Sequence, residues 1–599
     1  MTTEMMSYLE KVDVLMARAD LVGAWRVLDA HHAQQSGDPQ ALIAVSRLLR
    51  LQGRHTEACE VLERAIEAYP KTHAALSERA RLAIDAGDLA GADAWYARAY
   101  CEGAEAEDWV IDWVDVLLRL GSFDVARRIA HAYCSRAPGR PEGWFHLGLA
   151  HQRSRQYLQA LSAYSDAARL DPRMPMLRNN TAAAYIELRE YDLAQSLLEQ
   201  TLTDEPDNAM AWTNLASVLL RRGDPRASQI AAERACTLAP DFPVALQSYS
   251  NVLKELQRWD AALELARRAL DLEPHNASYA WPVAMLQLLR GDFENGWRNH
   301  EARWQGSPEL RDASPNVPAP LWQGEPLKGR TLFVWGEQGY GDAMQFVRFV
   351  PLIAERVKQE GGKLVYCCFS NLLPLFERSL AGVVETIVPH DQQPLPDFDV
   401  HLPLCSLPLM LGTRIEDLPV PASYLKADAA KTDAWRGRGE SGGRLRVGLV
   451  WSGSRKHQRN PYRSLDPLAF ARTFRAFHEI EFFSLQINAA DEVSAASEAG
   501  LRLTDVTAEL QSFDDTAALI QSLDLVITVC TSVAHLAGAL GVAAWVLLDV
   551  NPHWVWMTDR QDSPWYSSVR LYRQECFQQW EPVLARVAAD LAELATPSG

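Results

Sequence analysis

Small and apolar residues recur every 34 positions through the first half of the chain. Within one such unit the recurring positions are Trp144, Leu147, Gly148, Ala160, Tyr164, Ala167 and Pro172. The next unit but one carries Trp212, Leu215, Ala216, Ala235 and Pro240 at matching positions. Small residues let two helices approach closely, and a proline ends the second helix of each pair. The pattern therefore predicts about eight stacked helix pairs over roughly residues 5–276.

This spacing resembles that of tetratricopeptide repeats, whose helix pairs stack into a superhelix with a concave groove. A polar position on the first helix holds Asn180 and Asn214 in adjacent repeats. A side-chain amide both donates and accepts, so these residues are candidates for binding the backbone of an extended polypeptide. The alternative is that they are solvated helix residues. The pair resembles the asparagine ladder of O-linked N-acetylglucosamine transferases, which implies that Asn180 and Asn214 bind a protein acceptor.

After residue 330 the pattern changes to continuous apolar runs that alternate with helical stretches. The runs are Thr331–Trp335, Lys363–Cys368, Arg446–Trp451, Ile480–Leu485, Leu525–Val529 and Trp545–Leu548. Helices are expected between several of them, for example at Ala343–Gln359 and Asp515–Ser522. Such runs are typical of parallel strands that helices cover on both faces, which predicts an α/β fold with ligands at the carboxyl ends of the strands.

Proline-rich and glycine-rich segments suggest the domain boundaries. Pro315, Pro318 and Pro320 cannot continue a helix, and Trp435–Arg446 is rich in glycine and charge. We therefore expect a repeat superhelix at 1–304, a linker at 305–328, a first Rossmann-like lobe at 329–430, a second linker at 431–445 and a second lobe at 446–599.

Composition narrows the classes of partner. The formal net charge of −18 would repel phosphate, which argues against nonspecific binding to nucleic acid or to anionic membranes. The nine cysteines form no paired motif, which suits free thiols in a reducing compartment. We expect neither a signal peptide nor a membrane span, and hence a cytoplasmic protein. No acidic or cysteine cluster has metal-ligand spacing, so no metal and no cofactor are expected.

One carboxylate follows a strand-like run and two glycines. Asp342 comes after Gly339 and Gly341, at the predicted carboxyl end of the strand Thr331–Trp335. The spacing is not that of a dinucleotide fingerprint. Asp342 is either a helix N-cap or a general base that takes the proton of an acceptor hydroxyl.

Two further segments have the residues for binding phosphate. A strand ends at Val529 before Thr531 and Ser532, which can cap a helix that carries His535. Backbone amides at such a helix start favour phosphate, although simple capping is the better explanation for Thr531 or Ser532 taken alone. The second segment, after another predicted strand, holds the basic or imidazole residues Arg455, Lys456, His457, Arg459 and Arg463. They are expected to face the cleft and neutralise phosphate, or to form a solvated turn.

Together, the segments "GEQGYGDAMQFVRFVPL", "GLVWSGSRKH" and "TVCTSVAHLAGALG" resemble glycosyltransferase family 9, the heptosyltransferase group. The combination with repeats is similar to bacterial relatives that include flagellin glycosyltransferases. The resemblance implies a two-lobed GT-B fold and a catalytic base at Asp342. It also implies that a nucleotide-sugar donor binds at Gly339, Gly341, Trp451, Ser452, Gly453, Lys456, His457, Arg463, Ser464, Gln486, Cys530, Thr531, Ser532 and His535.

Cys530 departs from that family, which usually has an aspartate at this position. The change allows a different donor, a weaker enzyme or an inactive one. We expect a donor sugar with its own carboxylate, such as a nonulosonic acid activated as a CMP derivative. The favoured function is a metal-independent protein O-glycosyltransferase acting on Ser or Thr, with flagellin as the acceptor that the resemblance suggests. The alternatives are a glycosyltransferase for a glycan or lipid precursor, and a repeat scaffold whose transferase domain has lost activity.

Overall fold

The computed structural model describes residues 7–102, 107–310, 315, 317–438, 444–455 and 457–595. The chain divides into two compact units, one up to Val218 and one from Leu219 onward. Among the described residues, no helix combines the length and apolar character that crossing a bilayer requires.

The first unit consists of antiparallel helix pairs, which confirms the predicted repeat array. Its helices are α1 (Tyr8–Ala17), α2 (Leu21–Ala30), α3 (Pro39–Leu51), α4 (His55–Ala68), α5 (His73–Asp85), α6 (Leu89–Cys101), α7 (Trp109–Arg119), α8 (Phe123–Arg136), α9 (Pro141–Arg153), α10 (Tyr157–Leu170), α11 (Leu177–Glu187), α12 (Tyr191–Asp204) and α13 (Ala209–Arg221), the last of which contains the unit boundary.

The repeated residues have the packing roles that their sizes predict. A Cβ atom on Gly148 would overlap the ring of Tyr164, so the glycine is what allows α9 and α10 to pack closely. The indole of Trp144 donates to the carbonyl of Pro138 at 3.0 Å. Trp212 makes the equivalent bond to Pro206 at 2.8 Å. In these two repeats the first helix is therefore anchored to the proline turn that precedes it.

The second unit begins with further helices of the same kind. These are α14 (Pro225–Leu238), α15 (Pro243–Glu255), α16 (Trp259–Leu272), α17 (Ala277–Leu289), α18 (Phe293–His300) and α19 (Arg303–Gly306). Their buried side chains, among them Ala262, Leu286 and Trp297, belong to the same hydrophobic core as Leu332 and Val334 of the first strand. These helices are thus packed onto the α/β part of the chain.

The first sheet has four parallel strands in the order β3-β2-β1-β4. They are β1 (Thr331–Trp335), β2 (Lys363–Cys368), β3 (Thr386–Pro389) and β4 (Val400–Pro403). In register, Val334 lies between Tyr366 and Leu402. The helices of this part are α20 (Tyr340–Phe346), α21 (Val350–Gln359), α22 (Leu373–Ser379), α23 (Leu407–Met410) and α24 (Ala429–Arg436).

The second sheet has six parallel strands in the order β10-β9-β8-β5-β6-β7. They are β5 (Leu445–Val450), β6 (Ile480–Ser484), β7 (Leu503–Asp505), β8 (Leu525–Val529), β9 (Ala544–Leu548) and β10 (Val569–Arg573). The helices are α25 (Asn460–Arg463), α26 (Pro467–Phe474), α27 (Ala490–Glu498), α28 (Phe513–Gln521), α29 (Ser532–Leu540) and α30 (Glu581–Ala595). The strand order reverses direction between β5 and β8, the place where open α/β sheets usually bind ligands.

The two sheets share a hydrophobic core. Met344 of α20 and Leu536 of α29 belong to one cluster of buried residues, and these two helices contact each other directly. Because α20 follows β1 and α29 follows β8, the carboxyl ends of strands from both sheets lie at the same place in the molecule. This is where the candidate site is found.

Candidate functional site

The N-terminal turns of α20 and α29 lie against each other. A Cβ atom on Gly341 would stand 3.0 Å from Cδ2 of His535 and 3.6 Å from Cα of Ser532. A side chain there would be tighter than an ordinary contact and would require the His535 ring to shift. Gly341 was expected to let the backbone approach a ligand, but the contact it makes in this structure is with the helix of the other sheet.

Asp342 is not the N-cap of its helix. Gly339 holds that position, and Asp342 lies three residues further, where its Oδ2 accepts a hydrogen bond from the amide of Gly339 at 3.1 Å. A Cβ atom on Gly339 would lie 3.2 Å from the same Oδ2, so the carboxylate stays close to the backbone. The prediction that Asp342 is the N-cap residue is therefore wrong. Asp342 still contributes to capping, because it accepts a hydrogen bond from one amide at the helix start.

The environment of Asp342 suits a group that exchanges protons near neutrality. Burial by surrounding protein atoms raises its pKa from 3.8 to about 6, the hydrogen bond from Gly339 opposes that rise, and the nearby Glu337 adds to it. The side chain is still partly exposed. A carboxylate with a pKa near 6 is a stronger base than an ordinary aspartate and is mostly ionised at neutral pH.

His535 is held neutral. Its Nδ1 lies 2.8 Å from the hydroxyl of Tyr566, and its ring stacks on Trp556 with centroids 5.3 Å apart. Burial lowers the pKa of His535 to about 3, with smaller contributions from His553, Arg348 and Arg463. Because burial raises the pKa of Tyr566, its hydroxyl stays protonated and can donate to Nδ1. The remaining nitrogen of His535 is then a hydrogen-bond donor without charge.

Cys530 and Thr531 precede α29 at the carboxyl end of β8. The Cys530 thiol is buried and accepts a hydrogen bond from the Trp556 indole at 3.1 Å, and burial raises its pKa, so it is uncharged. Thr531 occupies the N-cap position, but its hydroxyl lies 3.1 Å from that of Thr528 and makes no capping bond. Ser532 is the first residue of the helix. Thr531 and Ser532 are thus at the predicted place, while the expected side-chain cap of Thr531 is not formed.

The loop after β5 is fixed by its own polar groups. Gln486 Oε1 accepts from the amides of Trp451 at 3.2 Å and Ser452 at 3.0 Å. The hydroxyls of Ser452 and Ser464 are 3.1 Å apart. The predicted residues Trp451, Ser452, Ser464 and Gln486 are therefore brought together. The Trp451 side chain is only 1% exposed and packs in the core, so any contact it makes with a ligand would be through its backbone.

Two members of the predicted basic cluster are already neutralised by carboxylates. Arg455 pairs with Glu492 at 2.7 Å. Arg459 pairs with Glu255 at 2.5 Å and with Asp549 at 2.6 Å, and both carboxylates are buried. The expectation that the whole cluster faces a phosphate is therefore wrong for Arg455 and Arg459. They hold the loop in place instead.

The rest of the cluster differs residue by residue. Burial, Arg463 and Arg459 together lower the pKa of His457 to about 4, so it is neutral at physiological pH. Lys456 lies outside the described residues. Arg463 packs against Gly453, where a Cβ atom would stand 2.5 Å from Nη2. Its Nε is buried and has no hydrogen-bond partner in the described part of the chain. Arg463 is thus the predicted cation that is positioned to meet an anion near Cys530 and His535.

Several residues that position the site were not predicted. Arg303 is fully buried and donates to both oxygens of Glu337, at 2.7 and 2.9 Å, and Glu337 also accepts from the amide of Cys405 at 3.0 Å. This ion pair fixes the loop between β1 and α20, in which Gln338 has a left-handed backbone with φ of 62°. Glu337 belongs to the segment GEQGYGDAMQFVRFVPL, but nothing near it in the sequence indicates that Arg303 is its partner.

The predicted acceptor-binding asparagines lie on the first helices of neighbouring repeats. Asn180 Nδ2 donates to the carbonyl of Met176 at 2.9 Å. Asn214 Nδ2 lies 3.4 Å from the carbonyl of Asn179. Both side chains are partly exposed. Each amide nitrogen thus uses one N–H on the repeat backbone, which leaves its second N–H and the amide oxygen for a bound peptide.

Over the ranges that the structure describes, no three or more His, Cys, Asp or Glu side chains are grouped so that they could hold a metal ion. The positive charge of the site comes from Arg463 and from the start of α29.

Comparison with known proteins supports the repeat assignment. Residues 39–82, 111–175 and 179–243 match the tetratricopeptide repeat family. Protein FlbA of Caulobacter vibrioides is 27% identical over 621 aligned positions, which cover 98% of this chain and 99% of FlbA. Anaphase-promoting complex subunit 3 of Schizosaccharomyces pombe is 21% identical over 166 residues, covering 28% of this chain and 25% of that protein. The FlbA alignment extends over the sheets as well as the repeats.

Two solved structures show a partial similarity to this chain. A tetratricopeptide repeat protein from Parabacteroides merdae has 16% identity and a TM-score of 0.33, covering 41% of this chain and 97% of its own. The Pseudomonas aeruginosa pilF structure has 17% identity and a TM-score of 0.32, covering 36% and 97%.

Proposed function

We propose that the protein transfers a sugar from a nucleotide-sugar donor to a Ser or Thr hydroxyl of a protein acceptor that its repeats bind. The observation that carries this proposal is the position of Asp342. A carboxylate with a pKa of about 6 lies where the starts of α20 and α29 meet, at the carboxyl ends of β1 and β8. A base and an anion-binding helix start from two different sheets therefore share one site.

The two parallel sheets fit the two lobes of a GT-B glycosyltransferase. In this proposal the β1–β4 sheet presents the acceptor and the base, and the β5–β10 sheet binds the donor at the reversal of strand order between β5 and β8. The sheet order, the all-parallel pairing and the contact of α20 with α29 support this arrangement.

The proposed reaction is a single displacement. The acceptor hydroxyl oxygen forms a bond to the anomeric carbon as the bond between that carbon and the donor phosphate oxygen breaks. The hydroxyl proton passes to the Asp342 carboxylate, and the electron pair of the broken bond leaves with the nucleotide phosphate. Asp342 must be ionised to act, which its pKa of about 6 allows at neutral pH.

The departing phosphate gains negative charge, which positive groups of the chain would stabilise. Arg463 and the first-turn amides of α29 supply that charge, and neutral His535 can add a hydrogen bond. Because these groups belong to the protein itself, we expect transfer to continue at full rate in EDTA.

The donor sugar is proposed to be anionic. Cys530 places an uncharged thiol near Arg463, at the position where family 9 enzymes usually have an aspartate. A sugar carboxylate, as in a CMP-activated nonulosonic acid, would be attracted to Arg463, and the thiol of Cys530 would add no negative charge against it. We predict that Cys530→Asp lowers kcat/KM for such a donor about tenfold or more, whereas the uncharged Cys530→Ser retains most of it. Equal or faster turnover by Cys530→Asp in a kinetic assay with this donor would contradict the proposal that the uncharged Cys530 favours an anionic sugar.

The acceptor is proposed to be flagellin, on the resemblance to repeat-containing flagellin glycosyltransferases. The test is the intact mass of flagellin from host cells that produce either the wild-type protein or Asp342→Asn. We expect a sugar-sized mass in the first case and its loss in the second, with both proteins folded and present at equal levels. Flagellin of the same mass in both strains would reject flagellin as acceptor or Asp342 as base. A purified transfer assay with other proteins from the host would then separate these two failures.

A further inference from the structure

A cavity lies beside β9 and β10 of the six-stranded sheet, and Asp342 is not among the residues that line it. It has a volume of about 580 Å³ and is bounded by residues that follow β9, by β10 and α30, and by the turn between α15 and α16. None of the residues predicted for the donor or the base lines it. Its size is in the range of pockets that hold small-molecule ligands, and it lies partly at carboxyl ends of parallel strands.

Gln574 is the unusual residue of this cavity. It follows β10 directly, its side chain is 1% exposed, and it forms part of the cavity wall. In the described part of the chain, neither its Nε2 nor its Oε1 has a hydrogen-bond partner. Buried polar atoms are normally paired, so an amide with both its donor and its acceptor unused indicates a missing partner. One group that offers an acceptor and a donor side by side would satisfy both atoms.

Arg573, the preceding residue, adds a cation to the same wall, where the carboxylate of Asp559 acts on its charge without forming an ion pair. Its guanidinium donates to the carbonyls of Arg560 at 2.8 Å and Trp556 at 2.6 Å, and it makes no ion pair with any described carboxylate. The other wall arginines differ, because Arg560, Arg570 and Arg586 pair with Asp562, Asp590 and Glu575. Arg573 therefore retains N–H groups and a charge for an anion.

The wall also limits the ligand. Asp549, Asp559, Glu575 and Asp590 line the cavity, so a highly charged polyphosphate would meet like charge. Trp259 and Tyr572 contribute apolar ring surface to the same wall. A single anionic group, joined to a flat ring with a neighbouring donor and acceptor, matches this combination of groups.

We propose that this cavity is a second nucleotide site, which binds a nucleoside monophosphate with its base edge on the Gln574 amide and its phosphate at Arg573. A glutamine amide pairs well with a base edge that presents both a donor and an acceptor. The proposal does not rest on the transferase activity, because the cavity and its two unpaired groups lie outside the Asp342 site.

Isothermal titration calorimetry of the full-length protein with AMP, CMP, GMP and UMP tests this proposal. The variant Gln574→Met keeps the length of the side chain but removes both polar atoms, so it should fold with an unfolding temperature at or above that of the wild type. The matched control is Gln359→Met on the exposed surface of α21. We expect at least one nucleotide to bind wild type and Gln359→Met alike, and to bind Gln574→Met about tenfold or more weakly. Arg573→Gln should weaken the same nucleotide.

Arg463→Ala separates this site from the proposed donor site. Binding that survives Arg463→Ala and is lost in Gln574→Met supports the second site, whether or not the protein is a transferase. Binding that is lost in Arg463→Ala and unchanged in Gln574→Met would overturn the second site while leaving the proposed function standing. Absence of binding for all four nucleotides up to about 1 mM would overturn it as well. Equal affinity for ribose 5-phosphate would overturn the role given to the base edge.

Discussion

Replacing Asp342 by Asn separates the proposed chemistry from the architecture of the site. Asn has the same shape, and its Oδ1 can still accept the hydrogen bond that Asp342 receives from Gly339 at 3.1 Å. What disappears is the ability to take up a proton. If Asp342 is the base, transfer should fall by roughly 10²–10⁴-fold while the fold is retained.

The same change should alter stability in a pH-dependent way. The pKa of Asp342 rises from 3.8 to about 6 on folding, which corresponds to roughly 3 kcal/mol at 1.36 kcal/mol per pKa unit. Because the folded state binds this proton more tightly, ionisation of Asp342 opposes folding. That cost is absent below pH 3.8, grows between pH 3.8 and about 6, and is constant above. Asp342→Asn should therefore be more stable than wild type at pH 8, by up to about 3 kcal/mol, and equal to it near pH 4.

Thermal unfolding followed by circular dichroism measures this difference. With an unfolding entropy of roughly 2.1 cal/mol/K per residue for the unit 219–599, 3 kcal/mol raises the unfolding temperature by about 4 °C. The matched control is Asp397→Asn, which replaces an exposed carboxylate in the same unit. The reasoning would be refuted if the difference in unfolding temperature between Asp342→Asn and wild type were the same at pH 4 and pH 8. It would also be refuted if Asp342→Asn transferred sugar at the wild-type rate.

The contacts around the site give three more predictions, on helix packing, on a buried ion pair and on metal dependence. Gly341→Ala should lower the unfolding temperature and the transfer rate together, because the new Cβ would stand 3.0 Å from His535. In a denaturant titration the free energy of unfolding should fall by about 1–3 kcal/mol. Full activity and stability in Gly341→Ala would contradict the described helix contact. Arg459→Ala should lower the free energy of unfolding by roughly 3–5 kcal/mol, since it leaves the buried carboxylates of Glu255 and Asp549 without their cation. Arg455→Ala breaks an exposed ion pair and should lower it by about 1 kcal/mol or less. Equal effects of the two arginine variants would argue against the buried pairs. Transfer measured with and without EDTA should proceed at the same rate, and a loss that added Mg²⁺ restores would show that Arg463 and α29 do not suffice.

Continuous apolar runs made the central strands predictable. β1, β2 and β8 begin and end at the residues that the sequence indicated. Four strands were missed, and all four lie at sheet edges. β3 and β4 have only four residues each and β7 has three, while β10, with the sequence VRLYR, mixes charged and apolar side chains. The helix expected at Ala343–Gln359 is interrupted at Val347–Phe349 by a 3-10 turn, after which α21 begins with proline at its first turn. A proline fits there because it has no N–H to pair.

The sequence predicted which residues lie at the ends of strands in the site. It did not predict the ion pairs that site residues form with residues far away in the chain. Asp342 and His535 each follow a strand, so parallel pairing brought both to carboxyl edges. The pairing of Arg459 with Glu255 joins residues 204 positions apart, and nothing in a basic loop indicates that a repeat helix will neutralise it. A cluster of basic residues in the sequence can therefore suggest more positive charge than a ligand meets in the folded protein.

The most direct test of the account is a transfer assay with purified full-length protein, acceptor protein and nucleotide-sugar, in which acceptor mass and released nucleotide are measured together. The account predicts one sugar added for each nucleotide released with the wild-type protein, and neither product with Asp342→Asn. Nucleotide release without a change in acceptor mass, or sugar addition that continues in Asp342→Asn, would contradict protein glycosylation by this site.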